Sequence, residues 1–209
     1  DWSVTNQKRS GRCWMFAGLN VFRPAAMEAM KLKDFEFSQN FTLFWDKLER
    51  ANFFLETIID TADRDIDDRT VAWLLSHPLD DGGQWNMFVN IVKKHGLVPQ
   101  AVMPESQSSS STQRMNGLVV SKLREGALQL RNIETAAGDG AADQMRVAKQ
   151  EILETVYRIL SIHLGTPPTR FDWQWNDKEK QFSRDGEMTP QDFAHKYGSQ
   201  SLDDFICLV

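Results

Sequence analysis

Eight residues, Gln7-Lys8-Arg9-Ser10-Gly11-Arg12-Cys13-Trp14, stand immediately before a run of helical composition and hold the strongest chemical signal in the chain. A thiol at a helix N-terminus faces unpaired backbone N–H groups and the positive end of the macrodipole, and both favour thiolate over thiol. Lys8, Arg9 and Arg12 add positive charge in the same turn. Cys13 is therefore the candidate nucleophile. Gln7 lies six residues earlier, and a side-chain amide held there can donate, together with the Cys13 backbone N–H, to the oxyanion formed when a thiolate adds to a carbonyl. Gly11 lets the chain approach a cleft closely. The competing reading is a buried core cysteine, because free Cys is among the most buried residue types. The basic, glycine-containing approach argues for a reactive site instead.

The elements that must position these residues are mostly helical. Cys13 to about Lys33 has helical composition, with Pro24 expected to kink or interrupt it. Ser38 is a good N-cap for a second helix, in which Phe41, Phe44, Trp45, Leu48, Phe54, Leu55, Ile58 and Ile59 recur at helical spacing. Asp67 or Asp68 can cap a short helix carrying Val71, Leu74 and Leu75, closed by Pro78. A turn at Gly82-Gly83 leads into another helix, with Trp85, Phe88, Ile91 and Val92 on one face and Gly96 as its stop. Glu105 to Gln113 reads as a surface loop. Two longer amphipathic helices follow, about Arg114 to Thr135 and Ala142 to Leu164, with Gly138-Asp139-Gly140 between them and Gly165 and Pro167-Pro168 after them. Phe171, Trp173 and Trp175 alternate with polar residues, and a turn at Asn176-Asp177 predicts a hairpin returning through Phe182. Thr189-Pro190 opens a last short helix, and Phe205 to Val209 reads as a strand. The pattern predicts an α+β or mainly α fold. An apolar ending and a start without Met predict a fragment of a longer protein, truncated at both ends.

Gln7, Ser10-Gly11-Arg12-Cys13-Trp14 and Asp81-Gly82-Gly83 together resemble the two cleft motifs of papain-like cysteine proteases. More narrowly, Thr5-Asn6-Gln7, Phe37-Ser38-Gln39, Phe44-Trp45-Asp46-Lys47-Leu48-Glu49-Arg50, Asp81-Gly82-Gly83-Gln84-Trp85 and Pro104-Glu105-Ser106 are similar to the bleomycin hydrolase and aminopeptidase C branch, along essentially the whole chain. The resemblance implies an α+β papain-like fold. Residues 1–104 would form a mostly helical N-terminal lobe, and residues 105–209 a helical insertion with a late β-hairpin leading to a truncated second lobe. It implies Cys13 and Gln7 as catalytic residues, and Asp81, Gly82, Gly83 and Trp14 as the substrate-binding wall. It further implies peptide substrates trimmed from their N-termini, no cofactor, and a hexameric ring with inward-facing sites. Secreted members pair cysteines at positions that here are Ser10 and Asp80, so the absent disulfide implies a cytoplasmic enzyme.

A papain-like thiolate needs a His and an Asn. Of His77, His95, His163 and His195, only His163 falls near the family's spacing of roughly 130 to 150 residues after the Cys. It sits among Ile159, Leu160 and Leu164 on a helical pattern, so a partly buried helix histidine is expected there. His95, just before Gly96, is expected as a favourable charge at a helix C-terminus, His77-Pro78 as a helix stop, and His195 as a surface residue. The catalytic His and Asn are thus expected downstream of Val209, and the chain alone is expected to be inactive. Trp173 and Trp175 are expected in core or interface packing, and the acidic run Asp60, Asp63, Asp65, Asp67, Asp68 with Glu56 as a solvated loop without the spacing of a calcium site.

The composition narrows the remaining classes. With 24 Lys+Arg against 29 Asp+Glu, a net charge of −5 makes nucleic acid a weak partner, because that work needs clustered cations. No apolar run approaches the roughly 20 residues of a membrane span, so no membrane partner is expected. Two cysteines, Cys13 and Cys207, far apart and without zinc spacing, predict neither a metal site nor a disulfide framework. Two other readings stay open: a non-catalytic helical scaffold that binds partners, and a secreted papain-like endopeptidase.

Overall fold

The computed structural model describes residues 3–137, 140–198 and 202. In chain order the elements are α1 (Cys13–Ala29), α2 (Gln39–Asp60), α3 (Arg69–Ser76), α4 (Trp85–His95), α5 (Gln107–Ser110), α6 (Gln113–Ala137), α7 (Ala141–Leu164), β1 (Phe171–Asn176), β2 (Phe182–Met188) and α8 (Pro190–Tyr197). The expected fold class holds: helices dominate and one antiparallel hairpin comes late. Among the described residues no helix is long and apolar enough to cross a membrane.

Helix α2 is the axle of the fold. Ser38 caps it as expected, its Oγ accepting from the Phe41 N–H at 3.0 Å and donating to the Met103 carbonyl at 2.5 Å. The predicted apolar stripe is buried through Phe41, Phe44, Phe54, Leu55 and Ile58. Helices α1 and α4 pack against α2, and so do α6 and α7, which also lie along each other. Asn40, fully buried on α2, donates to the Leu164 and Pro104 carbonyls at 2.7 and 2.8 Å and ties the end of α7 to the start of α2. Residues on both sides of position 104 therefore share one contiguous core.

Asp68 caps α3, accepting from the Thr70 and Val71 N–H groups. Helix α8 opens with the Thr189–Asp192 capping box and Pro190 at its first position. The hairpin pairs Phe171 with Met188 and Asn176 with Phe182, with an irregularity after Trp173. Trp173 and Trp175 stack on each other at 5.8 Å and pack against Phe193 and Tyr197 of α8, so both serve the core, as expected.

Two expectations are corrected. Pro24 does not interrupt α1, which runs through it to Ala29. Burial of Met15, Leu19, Phe22 and Ala26 along one face outweighs the one backbone hydrogen bond that proline forfeits. The segment Glu105 to Gln113 is not a plain surface loop: Ser106 and Ser109 cap each other across α5, and Ser109 and Thr112 are buried. The expected strand at Phe205–Val209, Cys207 and the Gly138-Asp139 part of the inter-helix turn lie outside the described residues.

Candidate active site

Cys13 is the first residue of α1 and is exposed, so it is not the buried core cysteine of the competing reading. The loop before it is irregular and tightly bonded. Lys8 and Gly11 both have left-handed backbones, at φ 54° and 59°. Asn6 Oδ1 accepts from the Lys8 N–H at 2.8 Å, and Ser10 Oγ donates to the Gln7 carbonyl at 2.5 Å. Arg9 is bridged to the end of α5 and the residues that follow: its N–H donates to the Ser110 carbonyl at 3.0 Å and its carbonyl accepts from the Thr112 N–H at 3.2 Å. Gln7 is half-buried, and its buried Oε1 has no hydrogen-bond partner among the described residues. That oxygen is an acceptor and needs a donor, so it is the amide nitrogen, not this atom, that could serve an oxyanion.

The second motif lies directly on the first. A Cβ at Gly11 would stand 2.8 Å from Asp81 Cβ, and a Cβ at Gly83 would stand 2.6 Å from Cε2 of the Trp14 ring. Only glycine allows both approaches, and through them Trp14 and the Asp81-Gly82-Gly83 segment form one wall beside Cys13. The space that a Cβ at Gly82 would occupy is open. Of the expected site residues, the structure thus brings Cys13, Trp14, Asp81 and Gly83 together through direct neighbours. Gln7 sits in the same bonded loop as Cys13.

Three charged residues of α2 that sequence reasoning gave no role hold this wall. Lys47, 1% exposed, places Nζ 2.6 Å from Asp81 Oδ1 and 3.5 Å from the Asp80 carbonyl. Arg50 donates from Nη2 to the Gly82 carbonyl, and its guanidinium lies 5.9 Å from the Trp14 ring. Its Nε donates to Asp46 Oδ1 at 2.8 Å. Burial pushes the Asp46 carboxyl above its ordinary value, against the pull of Arg50 and Lys47. The signal was present in the sequence: Asp46 and Lys47 interrupt an apolar stripe, where charges stay buried only if paired.

Arg12 corrects the expected electrostatics. It is 1% exposed and bidentate to Glu105, at 2.8 and 2.7 Å, with Nε donating to Ser10 Oγ at 2.7 Å. Its charge is neutralised by that carboxylate and is not free to act on the thiol, leaving the exposed Lys8 and Arg9 as the cations of the loop.

Among the described residues no hydrogen bond joins any of the four histidines to Cys13. His163, half-buried in the last turn of α7 as expected, pairs through Nδ1 with Ser108 Oγ at 2.8 Å. His77 ends α3 with Nδ1 3.1 Å from the Trp73 carbonyl, and His195 is exposed on α8. His95 departs from expectation. It stacks on Trp45 at 3.9 Å, bonds Glu49 at 2.8 Å, and burial lowers its pKa below the ordinary imidazole value despite that carboxylate. It is therefore mostly neutral at pH 7 rather than a charge at the helix end. In the acidic run, Asp68 is spent on capping α3 and Glu56 on Lys149 and Arg146. Among the described residues no three His, Cys, Asp or Glu side chains are grouped to hold a metal ion.

Comparison with known proteins finds relatives along the whole chain. The pattern of the Peptidase C1-like family matches residues 1–209. Aminopeptidase C of Listeria monocytogenes is 46% identical over 206 residues, covering 99% of this chain and 46% of that protein. Human bleomycin hydrolase is 43% identical over 211 residues, again covering 99% of this chain and 46% of its own length. The crystal structure of PepW from Lactobacillus rhamnosis HN001 superposes with a TM-score of 0.90 at 47% identity, over 97% of this chain and 45% of that one. The chain thus spans about half the length of these relatives.

Proposed function

The chain belongs to the Peptidase C1-like family, and on that premise we propose that it is the thiol-bearing part of a cysteine-type aminopeptidase that removes residues from peptide N-termini. The Cys13 thiolate adds to the carbonyl carbon of the first peptide bond. The Gln7 amide and the Cys13 N–H hold the resulting oxyanion. Collapse of the adduct breaks the C–N bond, the leaving amine takes a proton from an imidazolium, and water then hydrolyses the thioester. Gly82 and Gly83 receive the substrate backbone, with Trp14 behind them. The observation that supports this most directly is the exposed thiol at the first position of α1 beside the glycine wall.

The imidazole and its orienting Asn come, in this reading, from sequence outside these 209 residues, since His77, His95 and His163 are engaged elsewhere and His195 is a surface residue of α8. The chain by itself should then hydrolyse peptides slower by roughly 10⁴-fold or more. The names of the relatives support the exopeptidase reading over an endopeptidase. Ser10 and Asp80 in place of the disulfide favour a reducing, cytoplasmic setting. A hexameric ring is proposed for the full-length protein, and light scattering would check it.

The deciding experiment compares free-amine and N-acetylated fluorogenic substrates on the full-length protein, with Cys13→Ala as control. Cleavage of the free-amine substrate that vanishes in Cys13→Ala is expected. Faster cleavage of the blocked substrate would establish an endopeptidase, and no Cys13-dependent cleavage of either would favour the scaffold.

A further inference from the structure

We propose that Glu105 is a positioning residue for the oxyanion loop, acting through Arg12 and Ser10 on the backbone that carries Gln7. The proposal rests on the peptidase reading above and adds a residue far from the nucleophile in sequence. A continuous line of hydrogen bonds joins them. Glu105 accepts both Nη groups of Arg12, at 2.8 and 2.7 Å. Arg12 Nε donates to Ser10 Oγ at 2.7 Å, and Ser10 Oγ donates to the Gln7 carbonyl at 2.5 Å. Ser109 Oγ, fully buried, donates to Glu105 Oε2 at 2.8 Å and fixes the carboxylate from behind. Alongside, Arg9 makes two backbone hydrogen bonds to Ser110 and Thr112.

The loop needs such a brace. It has no regular secondary structure, two of its residues hold left-handed backbones, and α1 begins at Cys13 without a side-chain cap from Arg12. Oxyanion donors work only within about 2.7–3.1 Å of the developing charge. A shift on the order of 1 Å in such a donor costs roughly 100-fold in rate. A fork of two parallel charge-assisted hydrogen bonds, buried on the Arg12 side, is the arrangement that restricts the loop in both translation and rotation. Arg12 also lies over the Phe16 ring at 5.0 Å, so the guanidinium is clamped between the carboxylate and α1.

Removing Glu105 alone strands a buried guanidinium and destabilises the fold, so the informative variant removes both charges, Arg12→Met with Glu105→Leu, because apolar replacement of a whole buried pair is often neutral for stability. Ser10→Ala breaks the line at its last link and keeps the Arg12–Glu105 pair, at the cost of the acceptor for Arg12 Nε. On the full-length protein, three quantities are compared with wild type: melting temperature, the rate of Cys13 alkylation by iodoacetamide, and the dissociation constant of amino-acid aldehydes with free and acetylated amines. An aldehyde adds the Cys13 sulfur to its carbonyl carbon and places the resulting oxygen at the oxyanion site, whereas alkylation forms no oxyanion.

The expected result is an aldehyde affinity weakened about 10- to 100-fold in both the double variant and Ser10→Ala, with alkylation within about threefold of wild type. Aldehyde affinity unchanged within about threefold in a folded double variant would overturn the proposal, as would equal losses in alkylation and aldehyde binding. A preference for the acetylated aldehyde would refute aminopeptidase specificity while testing Glu105 just as well. Absence of any Cys13-dependent adduct would refute the peptidase reading and the proposal with it.

Discussion

Lys47 and Asp81 form an ion pair whose two ends lie in different environments, and the difference makes an asymmetric prediction. The Lys47 side chain is 1% exposed and the Asp81 side chain 43%. Asp81→Ala leaves an ammonium in the interior with the Asp80 carbonyl at 3.5 Å and the more distant charge of Asp46, itself paired to Arg50, as its partners. Stranding one charge of a buried pair costs about 3–5 kcal/mol, and the exposure of Asp81 places this case near 3. Lys47→Met removes the buried charge and its desolvation together, keeps an unbranched stem in the same space, and leaves a carboxylate that water can reach. Its cost should be about 1 kcal/mol. Lys47 also helps Asp46 ionise, yet Asp46 keeps Arg50 at 2.8 Å, so that contribution does not reverse the order. Urea unfolding followed by tryptophan emission would read a difference of about 2 kcal/mol between the variants, and the double variant should resemble Lys47→Met alone. If Lys47→Met proves as costly as Asp81→Ala, the buried charge is not what makes this pair matter and the reasoning fails.

Further outcomes follow from the same contacts. Gly96 has φ 79°, and a Cβ there would stand 2.3 Å from the Pro190 carbonyl group, so Gly96→Ala should lose at least about 3 kcal/mol, seen as a lower urea midpoint or loss of soluble protein. Gly83→Ala should displace Trp14 and lower Cys13-dependent turnover of the full-length protein roughly 10- to 100-fold, whereas Gly82→Ala, with open space at its Cβ but a left-handed backbone at φ 84°, should strain the turn and cost about 1 kcal/mol of stability; kcat/KM unchanged within about threefold in Gly83→Ala would contradict the glycine wall. The pKa of His95 is lowered in the fold from an ordinary 6.5. The unfolded chain therefore takes up that proton first, so the stability His95 contributes is complete above about pH 6.5 and is lost as pH falls through the lower folded value. The gap in urea midpoint between wild type and His95→Gln should narrow from about pH 7.5 to about pH 5, a range above the window in which Glu49, also lowered, titrates. A gap that stays constant would refute the assignment.

What could be read without coordinates was what neighbours in sequence decide. Ser38, Asp68 and Thr189 announce helix starts because a cap bonds to N–H groups two or three residues on. The alternation of Phe171, Trp173 and Trp175 announces a strand because its period is local, and Cys13 reads as a helix-start thiol for the same reason. The failures share the opposite cause. Arg12 looked like a charge for the thiol because only its neighbours were visible, and its partner Glu105 is 93 residues away. His95 looked like a charge at a helix end because Trp45 and Glu49, which bury and bond it, lie on another helix. Pro24 looked like a break because the burial of Phe22 and Ala26 against other helices is not a local quantity. Lys47 and Arg50 were visible as part of a characteristic block, yet their work became legible only once Asp81 and the Gly82 carbonyl stood beside them. The candidate nucleophile is thus encoded locally, whereas the rigidity that would make it useful depends on ion pairs spanning 34 and 93 residues. Single substitutions at Glu105, Lys47 or Arg50 should therefore weaken the site while every local motif around Cys13 remains intact.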